Sequence, residues 1–385
     1  MKRNNHPWAA VIGLSILCFV LVASEFMPVS LLTPIAKDLA ISEGQAGQAI
    51  AFSGLFAVVT SLFGNPLLAT LNRRSAVIGY TLIMIASGLI ITFSNGYVMF
   101  MAGRALIGIA IGGFWSLSTA ILARIVEPGL LSRAIAMLQS GTAIAFVVAP
   151  PLGSFLGNII GWRGAFFVIV PIGLLCLLFQ IMTLPSLPAK ENTAQTGIKS
   201  LVKNRLFTVG MIAVTLVFMG QFALSTYMRP FLETVTHLSI DGISAYLLAI
   251  GIAGFIGTSS SGLFLKERLF APLFIFQVIL AIVVVALILF GHQPIAVAAL
   301  LIIWGGCVTP IPVVWNTWMS QVIPDNLEAG GSLMVALIQL AITLGAFAGG
   351  ELFDHSGWIA TFSLSAALIL ISAMIGASIA RKTTA

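Results

Sequence analysis

The sequence predicts an all-α polytopic membrane protein: twelve transmembrane helices in two pseudo-symmetric six-helix halves. Three observations predict it. Of 385 residues, 59% are hydrophobic and 8% charged, with a mean hydropathy of +1.09. Soluble domains carry roughly 25% charged residues, so this composition excludes a soluble enzyme, a disordered chain and a disulfide scaffold. The apolar residues fall into twelve runs, and a polar stretch divides those runs six and six.

The first six runs are Trp8–Pro34, Ala46–Ala69, Ala76–Phe93, Val98–Ala123, Ala134–Asn158 and Ala165–Thr183. The second six are Leu206–Met228, Ile243–Leu265, Ala271–Phe290, Ile295–Val322, Gly331–Leu352 and Ile359–Ala380. Each is close to the roughly 20 residues that cross a bilayer. Unpaired backbone groups are too costly in hydrocarbon, so each run is a helix. The domains follow: 1–183, a polar linker at 184–205, and 206–385. No cleavable leader is expected, because the first run is too long for a signal-peptide core and lacks a small-residue cleavage site.

Lys and Arg set the orientation. One alternating set of loops holds 14 of them and the opposite set 3, namely Lys37, Arg163 and Arg229. The bias places both termini in the cytoplasm, which an even number of spans allows. Basic residues scattered through short loops are a topology signal and do not suggest nucleic-acid binding. Cys18, Cys176 and Cys307 all lie in apolar runs and have no metal-ligand spacing, so they read as buried thiols.

The halves look like weak copies. Ala149-Pro150-Pro151-Leu152-Gly153-Ser154 followed by Gly161-Trp162 returns as Gly345-Ala346-Phe347-Ala348-Gly349-Gly350 followed by Gly357-Trp358, at one offset of 196 residues. Parallel repeats of this kind are a transporter device. Gly108 and Gly112, Gly153 and Gly157, and Gly345 and Gly349 are spaced for close helix approach. Pro150 with Pro151, and Pro310 with Pro312, are expected to interrupt helices five and ten.

Two charges lie inside spans. Glu25 falls about 25 Å beyond Trp8 at 1.5 Å per residue, in the outer half of the bilayer. A charge there costs roughly 2.5–3.5 kcal/mol or more, and such carboxylates recur in proton relays. An interfacial carboxylate and a structural partner for a basic residue are the alternative readings. Arg104 lies about 9 Å from the outer end of helix four, at a depth similar to that of Glu25. The two could form a working pair or a static clamp. The substrate candidates are polar residues at depth with aromatic neighbours: Gln221, Gln339, Thr142 and Gln139, with Phe222, Tyr227, Trp115, Trp304 and Trp315. Amides beside aromatic faces suit a flat polar ring better than a simple ion. Bridging amides and interfacial tryptophans are the structural alternatives.

Enzyme signatures are missing: the sequence has no zinc-protease motif, no phosphate loop and no paired intramembrane Asp. No metal and no cofactor are expected, and the energy source would be a proton gradient. The expected partners are a small-molecule substrate, protons and the lipid bilayer, with no nucleic acid. A monomer is expected.

On these residues the chain resembles the major facilitator superfamily over nearly its whole length. Arg104-x-x-x-Gly108-x-x-x-Gly112 is similar to the family's helix-four motif, whose Arg is associated with proton coupling. Ala149-Pro150-Pro151-Leu152-Gly153-Ser154 resembles the helix-five motif of the drug/proton antiporter branch, with Ala and Ser in place of two glycines. After helix two, Arg73 and Arg74 match the family's loop motif, while Asn65, Ala69 and Asn72 replace its two glycines and its Asp. Glu25–Pro34, Gly112–Trp115, Pro151–Gly157, Gly161–Arg163, Gly220–Ala223 and Val335–Leu340 resemble bacterial purine ribonucleoside efflux pumps. The resemblance implies a proton-coupled exporter in the bacterial inner membrane that works by alternating access. It implies Glu25 and Arg104 at the proton site. Gln221, Phe222 and Gln339 fall in these stretches and, with Thr142 and Trp304 from the polar and aromatic residues at depth, are the expected substrate contacts; Gly108, Gly112, Pro150, Pro151, Gly153, Arg73 and Arg74 are expected in conformational motifs. A sugar or multidrug exporter, a non-transporting membrane sensor and a membrane-embedded enzyme remain as alternatives.

Overall fold

A computed structural model describes residues 7–67, 71–127, 130–188, 201, 203–267, 271–323 and 327–383. Among these every regular element is helical. In chain order they are α1 Pro7–Leu39, α2 Glu43–Leu67, α3 Arg73–Thr92, α4 Tyr97–Ile125, α5 Leu131–Ile159, α6 Gly161–Phe167 and α7 Ile169–Thr183. The remainder are α8 Arg205–Thr226, α9 Met228–Thr234, α10 Ile240–Glu267, α11 Pro272–Phe290, α12 Pro294–Val308, α13 Ile311–Val322 and α14 Leu327–Thr383.

Ten stretches of the described residues are long and apolar enough to cross a membrane. One of them, Leu333–Ala380, has 48 residues, about 72 Å of helix against a hydrocarbon core of roughly 30 Å. It breaks at Gly357, whose φ is 79°, so it supplies two spans. With the 25-residue α2 the fold has its twelve membrane helices. The exposed apolar side chains, such as Phe255, Ile282 and Leu289, fit a surface whose solvent is lipid.

The chain divides into two compact units, Met1–Ile41 with Phe52–Asn192, and Ser42–Ala51 with Thr193–Ala385. In the first, α1 packs on α5, and α3 packs on α4 and α7. In the second, α8 packs on α14, and α11 packs on α12 and α14. These are equivalent pairings in the two repeats. The 196-residue offset reaches atomic detail. Gly161 and Gly357 both take the left-handed conformation, with φ of 75° and 79°, a region that side chains other than glycine enter at a cost. Each is followed by a tryptophan set edge-on to an aromatic ring four residues later. Trp162 meets Phe166 at 6.3 Å and 86°, and Trp358 meets Phe362 at 5.6 Å and 85°.

Several boundaries differ from the sequence reading. The sixth span starts at Gly161 and is split at Val168 into α6 and α7. Helix ten is interrupted as expected, between Val308 and Ile311. Helix five is not, because α5 runs unbroken through Pro150 and Pro151. Two adjacent prolines remove only the amides that would bond Phe146 and Val147, and the remaining ladder and the packing on α1 hold the helix. Of the expected linker, residues 189–200 lie outside the described residues. Leu184–Pro188 is pinned to the first unit: Arg73 N donates to Leu187 O at 2.8 Å, Leu187 N donates to Asn72 Oδ1 at 3.0 Å, and Arg124 Nη1 donates to Pro188 O at 2.7 Å.

Candidate functional site

The site begins with a missing amide. Pro28 lies inside α1 and has no N–H, so the carbonyl four residues earlier, Ser24 O, loses its helical donor. Arg104 of α4 takes that place. Its Nη1 donates to Ser24 O at 3.0 Å and its Nη2 to Glu25 O at 2.8 Å. Nη2 also donates to Ser53 Oγ of α2 at 2.9 Å. The guanidinium is the rigid fork that can serve several acceptors at once. Arg104 is 0% exposed and Glu25 2% exposed, and the Glu25 carboxylate acts electrostatically on Arg104. The structure thus brings together the two intramembrane charges that the sequence placed at similar depth.

Gly108 and Gly112 explain how α4 comes near enough. A Cβ on Gly108 would collide with Ser53 O, and one on Gly112 with Ala57 O. Arg104, Gly108 and Gly112 therefore form one stripe four residues apart, facing Ser53 and Ala57 at the same spacing on α2. Gly153 of α5 faces Ser30 of α1, on the same helix as Glu25. Glu351, at the end of the eleventh apolar run, is exposed; it accepts from Gln48 Nε2 at 2.9 Å.

The remaining predicted residues are spread over both units. In the first, Thr142 is half-buried and its Oγ1 lies 3.1 Å from Cys18 Sγ and 3.4 Å from Gln139 Oε1. In the second, Gln221 and Gln339 are half-buried, whereas Phe222, Trp304 and Trp315 are fully buried. Tyr227 is also buried and bonds Ala346 O at 2.9 Å. Arg73 and Arg74 sit at the start of α3. Arg74 Nη2 donates to Ile181 O at 2.5 Å, and Asn72, which replaces the family's glycine, caps the helix through Arg74 N and donates to Ser186 Oγ at 2.6 Å. Here the loop binds the end of α7 and the chain that follows. Asn65 is in α2 but its side chain is not among those described, and Ala69 lies outside the described residues. Sequence reasoning missed Ser53, which carries no signal of its own. It also missed the role of Pro28, which could have been found by counting four residues back to an unpaired carbonyl beside Glu25.

A model of the Major Facilitator Superfamily matches residues 14–332. The chain belongs to the Major Facilitator Superfamily. It is 47% identical over 384 residues to the transcription regulatory protein OpdE of Pseudomonas aeruginosa, covering 99% of this chain and 96% of that protein. It is 39% identical over 376 residues to the purine ribonucleoside efflux pump NepI of Salmonella typhimurium, covering 98% and 95%. Among solved structures, an inward-facing, unoccupied bacterial homologue of the human lysosomal transporter Spinster superposes with a TM-score of 0.81 at 14% identity, covering 99% of this chain and 98% of that one. A D-xylose–proton symporter superposes at 0.75 with 17% identity, covering 96% of each. At these identities the structural likeness establishes the fold alone. The family is one of multi-pass membrane transporters and not of enzymes.

Proposed function

We propose that this protein is a proton-coupled antiporter that exports purine ribonucleosides across the bacterial inner membrane by alternating access. The observation that carries the reading is the burial of Glu25 against the Arg104 fork. A carboxylate kept at depth beside a fixed cation can bind a proton and release it as the local charge changes. The 39% relative named as a purine ribonucleoside efflux pump supports the choice of cargo. Gln221, Gln339 and Thr142 would contact substrate through amide and hydroxyl groups. Phe222, beside Gln221 on α8, and Trp304 on α12, both buried, would supply the aromatic faces.

The test is Glu25→Gln in proteoliposomes loaded with radiolabelled purine ribonucleosides. The amide mimics a permanently protonated acid at nearly unchanged volume. Uphill, pH-gradient-driven export should be lost, while exchange at equal pH, which needs no net proton movement, should continue. Uphill export with normal pH dependence would return Glu25 to a structural role. Gln221→Leu and Gln339→Leu should each weaken purine export by removing hydrogen bonds, a loss of about 0.5–1.5 kcal/mol per bond.

A second reading rests on the 47% relative, which is named a transcription regulatory protein. A membrane sensor of the same fold would give no flux in vesicles, and its deletion would change transcription without changing nucleoside tolerance.

A further inference from the structure

Gln139, Thr142 and Phe146 stand three and four residues apart on α5, so they form one stripe along that helix. They lie within Arg133–Ile159, a stretch long and apolar enough to cross a membrane. Gln139 is exposed, Thr142 half-buried and Phe146 39% exposed. A carboxamide turned toward hydrocarbon would give up hydrogen bonds that only water or a polar ligand can replace, so polar groups at this depth face a cavity or the bundle interior. The lipid flank of α5 is a different one: Ile144 and Phe155, each 52% exposed, lie eleven residues apart, about three turns. The stripe is held against α1. Ser15 Oγ donates to Met137 O at 2.7 Å, a Cβ on Gly141 would collide with Ser15 O, and the rings of Phe26 and Phe146 lie 5.1 Å apart. Thr142 has one hydroxyl hydrogen and donates it to Gln139 Oε1 at 3.4 Å. The buried Cys18 thiol, 3.1 Å from Thr142 Oγ1, is then the donor to that oxygen. The chain from S–H to O–H to C=O engages the oxygen end of the amide. The other end, Nε2, has no partner among the described residues.

We propose that Gln139 reads the base of the cargo, donating from Nε2 to the purine ring nitrogen N7. The inference rests on the reading of the cargo as a purine ribonucleoside, and it names the contact that tells that base from a pyrimidine. A donor held in a fixed orientation selects an acceptor. N7 is an acceptor in both adenine and guanine. It lies on the edge of the base away from the ribose, whereas N3 lies beside the sugar. A pyrimidine has no five-membered ring and no such atom. Phe146, two turns further along the stripe, bounds the site with an aromatic face. Thr142 keeps one lone pair for the cargo. Cys18 is buried behind Thr142 and acts through it. It is a positioning residue that keeps the oxygen of the amide engaged and the N–H groups turned outward.

The experiment measures counterflow at equal pH by full chains in proteoliposomes, a readout that needs no net proton movement. The probes are radiolabelled adenosine and 7-deazaadenosine, which carries C–H in place of N7 and has nearly the same shape. In wild type the KM for 7-deazaadenosine should exceed that for adenosine about two- to tenfold, the worth of one net hydrogen bond. Gln139→Leu should raise the adenosine KM by a similar factor and erase the difference between the two nucleosides. Cys18→Ala should narrow the difference, and Cys18→Ser, which keeps a donor at that position, should restore it. Equal KM values in wild type would overturn the assignment and leave purine export standing. A difference that survives Gln139→Leu, or that Cys18→Ala does not move, would do the same. Should a variant fail to fold, the wild-type comparison decides by itself. Absence of purine counterflow in wild type would overturn the proposed function and this inference together.

Discussion

Arg104 Nη1 lies 3.0 Å from Ser24 O, the carbonyl that Pro28 deprives of its helical donor. A side chain from α4 thus completes the hydrogen bonding of α1, and it does so next to the one acid buried within that helix. The same contact fixes the arginine, so the missing helical hydrogen bond and the charge site depend on each other.

Replacing Pro28 should therefore act at a distance. Pro28→Ala improves helix propensity by about 3 kcal/mol on host scales and returns an amide that competes for Ser24 O. Arg104 would lose its bond to Ser24 O, worth roughly 1.5–3 kcal/mol for a charged donor. The expected outcome is a well-folded protein with impaired pH-driven flux, seen by melting and by vesicle transport. Arg104→Lys, which cannot fork across three acceptors, should lower both.

The glycine stripe makes a steric prediction. Gly108→Ala gains roughly 0.8–1 kcal/mol of helix propensity but drives a methyl group into Ser53 O, and overpacking costs typically 1–3 kcal/mol. The net effect should be destabilisation, larger for Gly112→Val, measured as a falling melting temperature. An exposed glycine replaced by alanine in the same protein should show the opposite sign.

The repeat predicts matched penalties. Gly161→Ala and Gly357→Ala each place a Cβ at φ near +75°, which costs roughly 1–2 kcal/mol. The two should lower stability by similar amounts, and Asn, which tolerates this region, should be milder at both. Unequal effects would mean that the two junctions are alike in backbone only.

Topology is open to labelling. Both termini and the 184–205 linker should be cytoplasmic, from 14 basic residues against 3. Single cysteines placed in the linker of a cysteine-free protein should resist an impermeant reagent applied to intact cells. Cysteines near Lys37 or Arg163 should react.

The sequence by itself determined the number of the spans, because membrane insertion depends on apolar transfer energy summed over consecutive residues. It also determined the two glycine junctions, because a 196-residue echo and the special freedom of glycine are both visible in one dimension. It marked Glu25 and Arg104 by the cost of charge in hydrocarbon. Only the tertiary structure decided that Arg104 reaches Ser53, 51 positions away, that Leu184–Pro188 is fastened to Asn72 and Arg124, and that Cys18 is linked to Gln139 through Thr142. The reason is physical. In a soluble helix one apolar stripe announces the buried face, but lipid and protein interior are both apolar, so a membrane helix is hydrophobic all round and carries no such label. Which faces meet is settled by small residues that admit a neighbour and by the few polar groups that must find partners, and those partners lie in other helices.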